Sequence, residues 1–243
     1  MPNEPWQTLT LVVLQDVVLL MLTVGLFWTG VSVARGLGRP VGYSLAPLGF
    51  SKPNRGYFAG IRLGLLVGLG ALLANLLIAP LSIYILEALG YSTDSNIQGP
   101  FMQGLTDWVS ESPGTAIPAI IVVVALFGPA IEELVFRGAI FGGLYRLGLL
   151  FSRIFGDKAN QEGQGASKKV SFTLSAFLSA SAFALVHLEP RILLALFILA
   201  LVLALLYRRT GSLLPCFVAH ATFNSLAVSF IILRGLNLLP ALV

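Results

Sequence analysis

Six long apolar runs determine how this sequence can fold. They lie at 9–34, 59–86, 114–137, 170–188, 191–207 and 212–233. Each is long enough to cross the hydrocarbon core of a bilayer, roughly 30 Å thick, as a helix. Only 11% of the residues are charged, whereas soluble domains carry about a quarter. Because backbone polar groups find no water partners in hydrocarbon, the sequence predicts an all-α, polytopic transmembrane helix bundle.

The number of spans and the domain organisation follow from the segments between these runs. Residues 138–150 continue the third run without a polar break, as extra helix, a re-entrant piece or a seventh span, so we expect six to eight spans. Residues 156–169 are polar and rich in glycine, which predicts a flexible connector. We find no internal repeat and expect a single transmembrane domain over residues 1–243, with a motif-bearing core at about 114–233.

Charge is distributed unevenly between the loops. Loop 35–62 holds five basic residues and no acid, whereas loop 87–111 holds four acids and no base. Positive charge marks the cytoplasmic side, so this pattern predicts one orientation in the bilayer of the cell membrane. The basic residues form no continuous stripe, which argues against nucleic acid as a partner. The one cysteine, Cys216, excludes an intramolecular disulfide, and we expect it to serve in packing.

A small set of polar and ionisable residues falls inside the apolar runs. Such residues are costly in a membrane and are functional candidates by default. The set is Asp16, Asn75, Glu132, Glu133, Arg137, His187, His220 and Asn224. It includes both histidines of the chain. Asp16 and Asn75 have no motif around them, and we expect them to be structural.

Helical spacing relates several of these residues to one another. Glu133 and Arg137 stand four apart, which predicts an ion pair on one helix face. Glu132 lies about 100° further around the helix, so it remains available as a base for another neighbour. Two further pairs share a face in the same way. They are Phe183 with His187 and His220 with Asn224.

The three motifs resemble the signature of the CAAX prenyl protease and bacteriocin-processing family (CPBP, or Abi) of intramembrane endopeptidases. That signature is EExxxR, then FxxxH, then HxxxN or HxxxD. Here the motifs begin at Glu132, Phe183 and His220, in the family's order, and the resemblance spans roughly residues 115–230. The connector at 156–169 looks like a lengthening between the first two motifs.

The resemblance implies a role for each residue. Glu132 and His187 would activate a water molecule, and His220 with Asn224 would stabilise the oxyanion. Glu133 and Arg137, with Phe183, would hold the site together. No HExxH motif, no GxSG-type serine motif on an apolar helix and no pair of membrane aspartates offers a competing protease chemistry.

Two alternatives remain open at this point. Glu132, His187 and His220 are a reasonable ligand set for a catalytic zinc ion, which would make the protein a metalloprotease; we favour the glutamate mechanism without a cofactor. The substrate implied is a peptide or a membrane-associated protein segment. A non-catalytic transporter or immunity factor, using the same charges for proton coupling or partner binding, is the other class. Transporters commonly carry inverted repeats with broken helices, whereas these motifs occupy one half of the chain.

Overall fold

The computed structural model describes residues 5–93, 98–155 and 161–239, and the regular structure in these ranges is helical. Its α-helices are α1 (Pro5–Gly36), α2 (Tyr57–Ala88), α3 (Gln98–Glu111), α4 (Pro113–Ile120), α5 (Gly128–Glu133), α6 (Gly142–Phe155), α7 (Gln161–Val186), α8 (Pro190–Thr210) and α9 (Leu213–Gly235). Six helical stretches within these ranges are long and apolar enough to cross a membrane. The predicted all-α, polytopic fold is confirmed, and the protein is an integral, multi-pass membrane protein.

The third span is one continuous helical stretch, Pro113–Ile154, so residues 138–150 extend that span. Two π-helical segments, Ile121–Phe127 and Leu134–Phe141, interrupt its α-helical geometry on either side of α5. Pro129 explains the first, because proline has no N–H to donate and disturbs the preceding turn. There the N–H of Gly128 donates to Val123 O, five residues back, which is the π-helical pattern. The glutamates of the first motif therefore lie between two widened turns.

The structure differs from the sequence prediction in two connecting segments. Residues 161–169, predicted as part of a flexible connector, already belong to α7, while 156–160 lie outside the described residues. Once the apolar part of α7 is helical, each added residue gains a hydrogen bond at little cost, so the helix continues into its polar end. The acidic loop contains α3, which buries Leu105, Thr106 and Val109.

Small residues bring α2 against α9. A Cβ atom added to Gly64 would lie 2.7 Å from Pro215 O, and one added to Gly68 would lie 2.6 Å from Thr222 Cβ. Without a driving force from water, membrane helices associate by this kind of close packing. The glycines therefore fix the position of α9, which carries His220 and Asn224.

The basic loop between α1 and α2 folds back under the bundle. Leu213 N donates to Gly49 O (3.0 Å), Ser212 Oγ donates to Ser51 O (2.6 Å), and Asn54 N donates to Thr210 O (3.1 Å). These bonds tie the loop to the turn between α8 and α9. The loop is therefore held in place at the end of the bundle that carries most of the basic residues.

Candidate active site

The glutamate pair on α5 is anchored by a buried arginine. Arg137 Nη1 lies 3.0 Å from Glu133 Oε1, and both side chains are inaccessible, at 1% and 0% exposure. The ion pair predicted from the four-residue spacing is present. Each charge is needed to compensate the other, because an isolated charge in an apolar interior is strongly unfavourable.

His220 on α9 lies between the two glutamates. Its Nδ1 is 2.8 Å from Glu133 Oε1, and its Nε2 is 3.7 Å from Glu132 Oε2. A carboxylate oxygen only accepts, so Nδ1 carries a proton and donates it to Glu133. The second ring nitrogen is thereby directed toward Glu132, whose side chain is 25% exposed.

Phe183 on α7 is the contact point for the other members of the site. Its ring lies 4.8 Å from the ring of His187 and 5.6 Å from that of His220, and the Arg137 guanidinium lies 4.5 Å from its centre. Phe136 meets the same ring edge to face at 5.1 Å. Phe183 is fully buried and brings the side chains of three separate spans together.

His187 directly follows α7, and one of its ring nitrogens already makes a hydrogen bond. Its Nδ1 is 2.7 Å from Phe183 O, and a carbonyl oxygen only accepts, so Nδ1 donates and a neutral ring keeps a lone pair on Nε2. The side chain is half-buried. Within the described part of the chain, no contact within 4.0 Å joins His187 to Glu132. The two predicted bases are therefore linked only indirectly, because His187 contacts Phe183, Phe183 contacts His220, and His220 faces Glu132.

Asn224 lies one turn beyond His220 on α9. Its Nδ2 donates to Val124 O at 3.2 Å, in the first π-helical segment. The amide group has two N–H donors, so this bond fixes its orientation and leaves the second donor available.

Asp16 on α1 is a member of this region that the motifs do not contain. Its side chain is 3% exposed. A Cβ atom added to Gly128 would lie 3.7 Å from Asp16 Oδ2 and 4.0 Å from Glu132 Oε1. Both carboxyl groups therefore border the space beside Gly128. The sequence marked Asp16 as an ionisable residue inside a span, but nothing in its local pattern connects it to Glu132. Asn75, the other residue without a motif, borders a groove of about 270 Å³ between α2, α8 and α9.

A largely apolar cavity of about 640 Å³ leads from the basic loop to Glu133. Lys52 and Tyr57 lie at its exposed end, and Phe127, Ile131 and residues of α9 line its walls. Its volume falls in the range of about 300–1,000 Å³ that is usual for ligand sites. Glu132 does not border this cavity, so its partial exposure has a different origin.

The predicted zinc ligands do not form a metal centre. Among residues 5–93, 98–155 and 161–239, no group of three or more His, Cys, Asp or Glu residues is arranged to hold a metal ion. In the described residues Glu132 and His220 approach each other at 3.7 Å, but no ion pair within 4.0 Å joins His187 to Glu132, so the three side chains do not converge on one point. The metalloprotease alternative is therefore not supported, and we derive no step through a metal ion.

The fold and the site define a class of protein: a polytopic helical membrane protein with a cluster of glutamate, arginine and histidine side chains inside the bundle. The family described as Rce1-like, type II CAAX prenyl endopeptidase, matches residues 114–226. All three motifs lie within that match. The resemblance predicted from the motifs is confirmed over these residues, and the family supports a peptidase role.

A curated relative matches a similar length of chain. It is the "Putative membrane peptidase YdiL" of Bacillus subtilis (strain 168), which is 28% identical over 113 residues. The match covers 46% of this chain and 37% of that protein, so it spans little more than a third of the relative's length. No solved structure matches the chain.

Proposed function

We propose that this protein is an intramembrane endopeptidase that hydrolyses a peptide bond in a peptide or membrane-associated protein segment. The observation that carries the proposal is that His220 lies 3.7 Å from Glu132 and shares the Phe183 ring with His187, so side chains of three separate spans are linked through His220 and Phe183. Buried ionisable residues that converge in a cavity-bearing region are the usual mark of a catalytic site. The Rce1-like family match, which spans all three motifs, supports a peptidase role.

In the proposed reaction, Glu132 and His187 activate the attacking water. Glu132 is partly exposed and points away from the ion pair, so it has an oxygen available to accept a proton. The lone pair on His187 Nε2 orients the same water. As the water oxygen bonds to the carbonyl carbon, its proton passes to Glu132 and then to the leaving nitrogen when the C–N bond breaks.

His220 and Asn224 stabilise the oxyanion in this scheme. They lie one turn apart on α9, and each has one polar hydrogen fixed in another bond, His220 to Glu133 and Asn224 to Val124 O. Asn224 keeps its second amide N–H, and the His220 ring offers a second N–H at Nε2 when it is protonated. Both donors are held in place by the bonds on the other side of each group, which is the property that makes an oxyanion site effective. Glu133, Arg137 and Phe183 hold these groups in place.

The cavity supports a substrate with apolar side chains. Its walls are mainly hydrophobic, and its buried end reaches Glu133, the neighbour of the proposed base. An extended peptide segment entering from the basic loop would pass Lys52 and Tyr57 before reaching this end. The hydrogen bonds between this loop and the turn between α8 and α9 hold the entrance of the cavity in one conformation.

The direct test uses purified protein reconstituted in liposomes with a library of apolar peptides, read by mass spectrometry. We expect Glu132→Ala and His187→Ala each to abolish cleavage while the protein still inserts and folds. Glu111→Ala, which removes an exposed acid on α3, is the matched control and should cleave normally. Full activity in both site variants would contradict the mechanism. Comparing the membrane proteomes of cells with wild-type protein and with Glu132→Ala would then identify the precursor that accumulates.

A further inference from the structure

Asp16 has a buried carboxyl group for which the proposed mechanism has no use. It lies in the middle of α1, a membrane span, and its Oδ2 is inaccessible and makes no hydrogen bond in the described structure. A charge in such a place costs several kcal/mol unless a partner or water compensates it. The surroundings of Asp16 therefore determine which form the carboxyl group takes.

The groups that face Asp16 are mostly acidic. α1 packs against α3, α5 and the second π-helical segment. The charged residues of these elements are Asp107, Glu111, Glu132, Glu133 and Arg137. Asp107 and Glu111 are exposed, and Arg137 is paired with Glu133. Glu132 remains, and its Oε1 and Asp16 Oδ2 lie within 4.0 Å of the same point beside Gly128.

The charge balance of the cluster favours a neutral Asp16. Glu133 is compensated by Arg137, and His220 donates to Glu133 while its second nitrogen faces Glu132. A second negative charge beside Glu132 would have no cation to compensate it. Two carboxyl groups that border the same space in an apolar site do not both ionise at acceptable cost, so one of them keeps its proton.

We infer that Asp16 is a positioning residue for Glu132: its protonated carboxyl group donates across Gly128 through one water and holds the Glu132 carboxylate in the orientation that activates water. The inference rests on the proposed function. Gly128 is part of this arrangement, because its missing side chain leaves the space in which the two carboxyl groups approach each other.

The first test compares three variants in the cleavage assay. Asp16→Asn keeps a neutral hydrogen-bond donor of the same shape, and we expect its kcat to stay within about threefold of wild type. Asp16→Leu removes the donor, and we expect kcat to fall about 10- to 100-fold with KM nearly unchanged, as for loss of a hydrogen bond to a charged group. Asp107→Asn makes the same chemical change at an exposed acid and should have no effect.

The second test fills the shared space and leaves both carboxyl groups chemically unchanged. Gly128→Ala places a methyl group at ordinary contact distance from Asp16 Oδ2 and Glu132 Oε1, with a tighter 3.3 Å contact to Val123 O. We expect a fall in kcat similar to that of Asp16→Leu. Gly143→Ala, in the same span and with open space around it, is the control and should keep full activity.

The third test does not depend on activity. Infrared difference spectra of wild type and Asp16→Asn should show the carbonyl stretch of a protonated carboxylic acid in the wild type only, and Asp107→Asn should retain it. An unchanged band in Asp16→Asn overturns the inference, as does a kcat for Asp16→Leu equal to wild type or one for Asp16→Asn as low as that of Asp16→Leu. If Glu132→Ala itself still cleaves, the proposed function fails instead, and the infrared band reports on Asp16 separately.

Discussion

The buried guanidinium of Arg137 contacts two different kinds of partner. It pairs with Glu133 at 3.0 Å and stacks over the ring of Phe183 at 4.5 Å. Because His220 donates to the same glutamate oxygen, Arg137 also determines how the imidazole is held. One residue that takes no part in the proposed chemistry thus supports both the charge balance and the geometry of the site.

Replacing Arg137 should therefore destabilise the protein more than a substitution on the surface does. Arg137→Ala leaves Glu133 buried without a counter-charge, which costs about 3–5 kcal/mol. We expect a large fall in the unfolding temperature measured in detergent, together with loss of cleavage. Arg153→Ala, at an exposed position near the end of α6, is the control and should unfold like the wild type. A normal unfolding temperature for Arg137→Ala would show that the pair contributes nothing to stability.

Asn224 should affect turnover and leave substrate binding almost unchanged. Asn224→Ala removes one oxyanion donor, and we expect kcat to fall about 10²- to 10³-fold while KM changes little. Steady-state kinetics on the best cleaved peptide measures both constants. A change confined to KM would mean that Asn224 contacts the substrate in its ground state only.

Removal of metal ions should leave cleavage intact. The glutamate mechanism uses only side chains, and the described residues offer no set of three ligands to a metal ion. We expect full activity after treatment with a chelator and less than one metal ion per active protein by elemental analysis. Loss of activity on chelation, with recovery on adding zinc, would contradict the glutamate mechanism.

The sequence predicted contacts within one helix better than contacts between helices. The Glu133–Arg137 pair follows from a spacing of four residues, because helical geometry alone places these side chains together. The bond between His220 and Glu133 joins residues 87 positions apart, and Asp16 and Glu132, which border the same space at Gly128, lie on helices that are far apart in the sequence. Residues that lie this far apart in the sequence have no fixed spatial relation to each other, so neither contact could be predicted from spacing.

The positions of the membrane-spanning helices were predictable, but the π-helical segments within the third span were not. Hydropathy located all six spans because the bilayer imposes a length and an apolar composition on each. The π-helical segments around α5 depend on how Pro129 and its neighbours are packed, which hydropathy does not report. The helix α3 was missed because its apolar positions are few and lie within an acidic loop.

The contact between α2 and α9 gives a test at the scale of the helix. Gly68→Ala would bring its new methyl group within 2.6–2.7 Å of Thr222 Cβ and Ala219 O, so the helices must move apart. We expect a destabilisation of about 1–3 kcal/mol and reduced cleavage, because α9 carries His220 and Asn224. Gly70→Ala on the same helix has open space and should cost nothing in either measurement. Equal behaviour of the two variants would show that this packing does not position the site.

At the scale of the whole molecule, the structure sorts the charged loops to opposite ends of the bundle. Asn54 of the basic loop bonds to Arg209 O and Thr210 O, so this loop and the basic turn after α8 lie at one end. The other end of α9 meets α3, where Gly235 packs closely against Val109. Because the two kinds of loop lie at opposite ends, the charge pattern predicts one orientation, with the basic end in the cytoplasm.

Cysteine labelling tests that orientation and the route to the site together. Cys216 is fully buried, so the wild-type protein should not react with a membrane-impermeant maleimide. Asp107→Cys should be labelled in intact cells, and Lys52→Cys only after the membrane is permeabilised, because Lys52 belongs to the basic loop. Since Lys52 also borders the cavity that reaches Glu133, bound peptide should slow labelling at this position and leave labelling of Asp107→Cys unchanged. The reverse pattern in intact cells would place the cavity mouth outside the cytoplasm, and with it the side from which a substrate enters.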